Sequence, residues 1–304
     1  MTAPLVAVVG PTAVGKTALA LRIARRWNAE IVGVDASQVY RGLDIGTGKV
    51  SPRELEGVVH HLVDVVEPAA PFDAAQFAAL ADAAIADAHA RGRRVVLCGG
   101  TGLYLRALVD GLSAVPSVPE ALRASLRARL ERGEVEAMHR ELQHLDPTTG
   151  ARLSARDGQR IERALGVALA TGRPLSAWHA DTRDRPPRYA VRVLGLTCPR
   201  ETLDARIETR VGRMFEAGWV DEVRGLLAAG LPPDARSLKA LGYAQILELL
   251  AGRCDEAQAR ALTVLRTRQY ARRQETWFKA LPGVTWWTPP VADTQLDAYL
   301  AALS

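Results

Sequence analysis

Short, mainly apolar runs recur through the first two hundred residues, at 5–9, 30–34, 61–65, 94–98 and 191–196. Each is too short for a helix and rich in β-branched residues, which predicts strands buried on both faces, as in a parallel sheet. Alanine-rich stretches at 17–26 and 74–90 carry helical spacing between these runs. The β-α-β alternation predicts an α/β domain, a parallel sheet flanked by helices, and residues 284–287 add a final strand.

The pattern changes between the fourth and fifth runs. Residues 113–189 hold no good strand but two or three amphipathic helices, at 120–132, 135–145 and 159–171. Pro116 and Pro119 open the stretch and Pro186-Pro187 close it. It is too long for a crossover, so it predicts an inserted all-helical domain, with 1–112 and 190–304 forming the core. Beyond Glu201 the chain reads as almost wholly helical up to Trp286-Trp287, and no internal repeat or low-complexity tract interrupts it.

The most specific local signal is GPTAVGKT, residues 10–17, which fits the phosphate-gripping P-loop pattern and sits where it must, after an apolar strand and before a helix. The backbone of Gly10, Pro11, Thr12, Ala13, Val14 and Gly15 would curl around phosphate oxygens, Lys16 would add a point charge, and Thr17 would offer a hydroxyl to Mg²⁺. A nucleoside triphosphatase would also end a strand in a Walker-B acid, whereas the fourth run ends in GGTGLY, residues 99–104. Asp35 closes the second run. In an open parallel sheet that position faces the ligand crevice, where a carboxylate can accept a proton, although an isolated Asp serves equally as a turn or helix cap.

Composition narrows the class without choosing a substrate. With 48% hydrophobic and 24% charged residues the chain is globular rather than disordered or fibrous. No apolar run is long enough to span a bilayer and no signal-peptide pattern precedes residue 5, so a cytoplasmic protein with no membrane partner is expected. The three cysteines are scattered, without metal or disulfide spacing. The net charge of +5 permits a polyanionic partner. The insert carries 13 Arg against 10 acids, and residues 252–279 carry seven Lys plus Arg against three acids, with Arg266, Tyr270, Arg273 and Trp277 on one helical face. That face suits phosphate contact and base stacking, or equally two core aromatics beside solvated arginines.

Taken together, GPTAVGKT, VDASQVYRGLDIGTGK (34–49), HHLVD (60–64), GGTGLY (99–104), DGQRIERAL (157–165), IETRVGRMFEAGWVDEV (207–223) and TRQYARRQETWF (267–278) resemble the bacterial tRNA dimethylallyltransferases in order and spacing, over nearly the whole chain. The resemblance implies transfer of a dimethylallyl group from dimethylallyl diphosphate to N6 of adenosine at position 37, just 3′ of the anticodon, in tRNAs reading codons that begin with U. The P-loop then holds a diphosphate leaving group, which accounts for the missing Walker-B acid. By the same resemblance Asp35, Lys16, Thr17, Thr101 and Arg210 are catalytic, with Mg²⁺ on Thr17. The implied tRNA contacts are Asp35, Ala36, Ser37, Gln38, Thr101, Arg123, Gln159, Arg160, Ile161, Glu162, Arg163, Arg268 and Arg272, and the partner is the tRNA anticodon stem-loop. Ala36 departs from the Ser usual there. Since one chain holds both substrate sites, a monomer is expected. A small-molecule P-loop kinase using ATP would explain the loop and Asp35 but leave the insert without a task; a noncatalytic RNA-binding module would make Asp35 incidental.

Overall fold

The computed structural model describes residues 4–183 and 185–303. Strands β1 (Leu5–Val9), β2 (Ala29–Val34), β3 (His60–His61), β4 (Arg94–Gly99), β5 (Val191–Leu196) and β6 (Thr285–Trp287) form one sheet in the order β3-β2-β4-β1-β5-β6, with every neighbouring pair parallel. The valine-rich runs of β1 and β2 are buried along their whole length, because helices including Lys16–Trp27 and Ala74–Ala90 pack on the sheet. Each such Val, Ile or Leu contributes about 1.5–3 kcal/mol by leaving water.

Local chemistry sets the helix ends. The Lys16–Trp27 helix stops at Asn28, which takes the left-handed conformation at φ 52°. Asp73 opens Ala74–Ala90 with a capping box closed by Gln76. The third apolar run behaves differently from the expected strand at 61–65. Only His60 and His61 pair with β2, since Leu62 and Asp64 take positive φ (62° and 56°) and turn the chain out of the sheet, after which Val65 and Val66 bond to Val39.

The paired histidines serve the fold. Glu30, 1% exposed within β2, accepts from both guanidinium nitrogens of Arg91 and lies 2.7 Å from His61 Nε2. The Arg91 hydrogen bonds hold this carboxyl down to about 2, so a buried charge is compensated where it must be. Burial pushes the neighbouring His60 down to about 4, leaving its ring neutral.

The chain divides into two compact units, one running to Val109 and resuming at Arg188, the other spanning Asp110–Pro187. These limits lie within three residues of the expected 113–189. Arg188 and Tyr189 go with the sheet unit because both side chains donate to Asp82, at 2.6 and 2.7 Å. The second unit holds five helices among the described residues rather than two or three: Glu120–Glu131, Val135–Leu145, Pro147–Arg152, Gly158–Thr171 and Leu175–Arg183. Pro147–Arg152 and Leu175–Arg183 are too short to show a period. They are tied through the buried Asp146, whose carboxylate accepts from the backbone of Thr149 and Ser176. Burial works to raise that carboxyl, but these hydrogen bonds outweigh it and keep it below its usual range.

Candidate active site

Parallel register places three chain ends level. Val9 of β1 sits opposite Gly99 of β4, and Gly99 opposite Val34 of β2. The residues that follow, Gly10, Gly100 and Asp35, therefore leave the sheet side by side at its carboxyl edge, where α/β ligand crevices form.

The 10–17 loop folds as a phosphate cradle. Gly10 is at φ 140° with its Cα against the Leu196 carbonyl, a position no side chain could occupy. Ala13 takes φ 65°, and Gly15 caps the Lys16–Trp27 helix in the left-handed conformation, so amides and the positive helix end face the concavity. Pro11 and Val14 are buried beneath the loop and contribute backbone alone. Lys16 Nζ donates to the Pro11 carbonyl at 2.8 Å, folding back across the loop. Burial lowers its pKa to about 8, with Cys98 and Asp35 opposing and Arg210 adding to the effect. The Thr17 hydroxyl meets the thiol of Cys98, which burial pushes up to about 11 and so keeps protonated.

Asp35 makes an Asx turn, its Oδ1 accepting from the amides of Ser37 at 2.8 Å and Gln38 at 3.2 Å. The Ala36 amide donates to Thr101 Oγ1 at 3.2 Å, and the Thr101 amide to the Val34 carbonyl, linking the base turn to the second glycine turn. With alanine at 36, that residue's link to the Thr101 side chain is made by its main-chain amide. Gln38 spends its amide group on the carbonyls of Thr47 and Gly48, at 3.1 and 3.3 Å, and so shapes the cleft wall.

Asp35, Ala36, Ser37, Thr12 and Thr101 line a cleft of about 270 Å³ whose far side is built by Arg210, Met214, Trp219, Leu241, Tyr243 and Tyr270. Burial lowers the Arg210 pKa while the Asp35 carboxylate opposes that shift. The guanidinium rests on Gly48, at φ 64°, where any larger residue would collide with it. Tyr270 lies against Thr101 and Gln274, and burial, reinforced by Asp35, raises its phenol to about 12.

Besides far-wall residues such as Trp219 and Tyr243, two that brace this site, Gln274 and Glu222, escaped the sequence reading. Gln274 joins the two glycine loops, accepting from the Thr12 amide and donating to the Gly100 carbonyl. Its position one turn after Tyr270 in TRQYARRQETWF was the available signal. Glu222 had none. Its carboxylate accepts from the amides of Asp44, Ile45 and Gly46 and from the Tyr243 hydroxyl at 2.7 Å, clamping the 44–48 wall. Glutamine at 222 would oppose donor to donor in either orientation. E222Q is therefore expected to lose about 1–3 kcal/mol of stability, read by denaturant unfolding, and to raise the Michaelis constants.

The residues implied in RNA contact do not behave alike. In the second unit Gln159, Arg160 and Arg163 are exposed on the Gly158–Thr171 helix, Arg160 at 75%. Arg123 reaches the Val118 carbonyl and Glu120. Glu162 is half-buried and faces Arg127 at 3.7 Å. Ile161 is corrected: it is 0% exposed and packs with Leu126, Met138, Leu142 and Leu165 in that unit's own core. On the Glu256–Lys279 helix Arg272 is exposed, whereas Arg268 turns onto Asp204 and Glu208. Tyr270 and Trp277 face inward, Trp277 covering Gly102, so this helix presents its aromatics to the cleft and core rather than to solvent.

A P-loop sheet whose neighbouring strand ends carry an acid and a hydroxyl defines a phosphate-handling α/β enzyme with a second helical unit. Residues 38–281 match the family model for IPP transferase, and the chain belongs to that family. It is 48% identical over 282 residues to the tRNA dimethylallyltransferase of Geobacter metallireducens, covering 93% of this chain and 91% of that protein, and 47% identical over 287 residues to that of Thermobifida fusca. Among solved structures, it superposes on the tRNA isopentenylpyrophosphate transferase of Bacillus halodurans with TM-score 0.73 and 36% identity, covering 99% of this chain and 95% of that one. A eukaryotic dimethylallyltransferase captured acting on tRNA gives TM-score 0.79 at 25% identity, over 93% and 73% of the two chains. The enzyme is a transferase of the tRNA dimethylallyltransferase type, and among the described residues no helix is long and apolar enough to cross a membrane.

Proposed function

We propose that this enzyme transfers the dimethylallyl group of dimethylallyl diphosphate to the exocyclic N6 of adenosine 37 in tRNAs reading codons that begin with U. The carrying observation is the level placement of the P-loop, Asp35 and Thr101 at three adjacent strand ends, a leaving-group clamp beside a base. The allylic C–O bond breaks, the N6–C bond forms, the N6 proton passes to Asp35, and diphosphate departs. Lys16, the loop amides and Arg210 stabilise the charge that develops on the departing diphosphate. Asp35 accepts a hydrogen bond from N6 and then its proton; because the amine is barely basic before attack, position matters more than base strength.

The donor set fits Mg²⁺. Thr17, at the start of the Lys16–Trp27 helix, would offer a hydroxyl oxygen, and Mg²⁺ characteristically takes few protein ligands beside phosphate oxygens and water. When bound it would neutralise diphosphate charge.

The 110–187 unit is the proposed anticodon-loop reader, through Arg123, Gln159, Arg160 and Arg163, with Arg272 on the other unit. Adenosine 37 would be flipped from its stack to reach the cleft. R160A is expected to weaken tRNA binding and reduce the slope of log affinity against log salt by about one; an unchanged slope would argue against phosphate contact there. We further propose a monomer acting in the cytoplasm. The deciding assay incubates the protein with dimethylallyl diphosphate, Mg²⁺ and unmodified tRNA, then looks for N6-isopentenyladenosine by mass in the digest. Absence of that nucleoside, with ATP consumed instead, would overturn the reading.

A further inference from the structure

We propose that Gln274 is a positioning residue that couples the diphosphate loop to the acceptor turn, so that occupancy of one strengthens binding at the other. This rests on the prenyl-transfer reading above.

Gln274 projects from the Glu256–Lys279 helix and is 6% exposed. Its Oε1 accepts from the Thr12 amide at 2.8 Å, and its Nε2 donates to the Gly100 carbonyl at 2.9 Å. The orientation of the amide is forced, because a backbone N–H can only donate and a carbonyl oxygen can only accept. One planar group therefore bridges two loops that the sequence keeps apart, and it is buried enough for both bonds to be costly to break. The fit at Gly100 is close: a side chain there would run into Gln274 Nε2.

The neighbours of Gln274 on the same helix face strengthen the bracket. Tyr270, one turn earlier, lies against Thr101, and Trp277, one turn later, covers Gly102 so closely that a side chain there would strike its indole nitrogen. Residues 270, 274 and 277 thus hold the whole 100–102 turn against one rigid helix. Thr12 lies in the loop that wraps diphosphate, and Thr101 anchors Ala36, next to Asp35. Ordering of the P-loop by diphosphate fixes the Thr12 amide, which fixes Gln274, which fixes the turn on which the acceptor adenine rests. The path also runs in reverse, as linkage requires.

The test measures the affinity for inorganic pyrophosphate with Mg²⁺, by calorimetry, with and without saturating unmodified anticodon stem-loop RNA. In the native protein the RNA is expected to tighten pyrophosphate binding by about fivefold or more. In Gln274→Met, which keeps length but removes both polar atoms, the Thr12 amide and the Gly100 carbonyl lose their partner, so each ligand alone should bind more weakly, by up to about tenfold, while the mutual effect falls below about twofold. Gln274→Glu keeps the Thr12 bond but sets a carboxylate oxygen against the Gly100 carbonyl, and should lose the mutual effect as well. A native protein showing no mutual effect, or a Gln274→Met protein retaining it, overturns the proposal. So does collapse of both single-ligand affinities in both variants, which would make Gln274 a plain structural support. Failure of the function itself would appear separately, as native enzyme that forms no prenylated tRNA.

Discussion

Replacing Asp35 with alanine is expected to slow single-turnover prenyl transfer by about 10²–10⁴-fold, the range over which a positioned general base contributes, while tRNA affinity stays within about twofold. The structure makes a sharper version available. One carboxylate oxygen of Asp35 is occupied in the Asx turn, accepting from Ser37 and Gln38. Alanine removes that acceptor as well as the base, whereas asparagine keeps an oxygen for the turn and loses only the ability to take a proton. If the two roles separate, D35N should lose nearly as much rate as D35A with less damage to the 35–38 turn. Equal losses of rate and tRNA affinity in both variants would show that Asp35 acts as a turn-former that presents RNA contacts, not as the proton acceptor.

The sheet was legible because β1, β2 and β4 are buried along nearly their whole length, and β5 over its second half, and so read as short apolar runs. The third run misled for a reason of the same kind: His61, Leu62 and Val65 have strand-forming character, but the backbone at Leu62 and Asp64 takes positive φ, which composition does not encode. The near wall of the site was equally readable, since a P-loop and a strand-terminal Asp follow directly from strands. The far wall was readable only in part, through the resemblance that carried Arg210 and the helical face that carried Tyr270. Trp219 and Tyr243 line the cleft, and Glu222 and Gln274 brace its walls, from helices more than a hundred residues downstream, and their roles arise only where those helices pack on the sheet. Ile161 illustrates the opposite error. A resemblance carries a run of positions across together, but a helix alternates faces, so the residue between Arg160 and Glu162 points into its own core.

Lys16 to alanine is the second large effect, an expected loss of about 10²–10³-fold in kcat/KM for dimethylallyl diphosphate, comparable to removing one donor from a preorganised anion site. The burial that makes this charge effective also sets a pH limit. Lys16 is pulled from its ordinary 10.5 to about 8, so in the free enzyme it begins to lose its proton just above neutrality. Native kcat/KM for the donor should fall above about pH 8, since that ratio reports groups of the free enzyme. The K16A protein, already without the charge, should show no fall with that midpoint. Stability should move the other way. Between about 8 and 10.5 the unfolded chain holds a proton that the folded chain has released, so this group's contribution to stability rises with pH through that window and is least favourable below it, where the buried ammonium is charged. A native profile with no inflection near pH 8, or a K16A protein that uses the donor as well as native, would remove Lys16 from the leaving-group clamp and leave the task to the loop amides and Arg210.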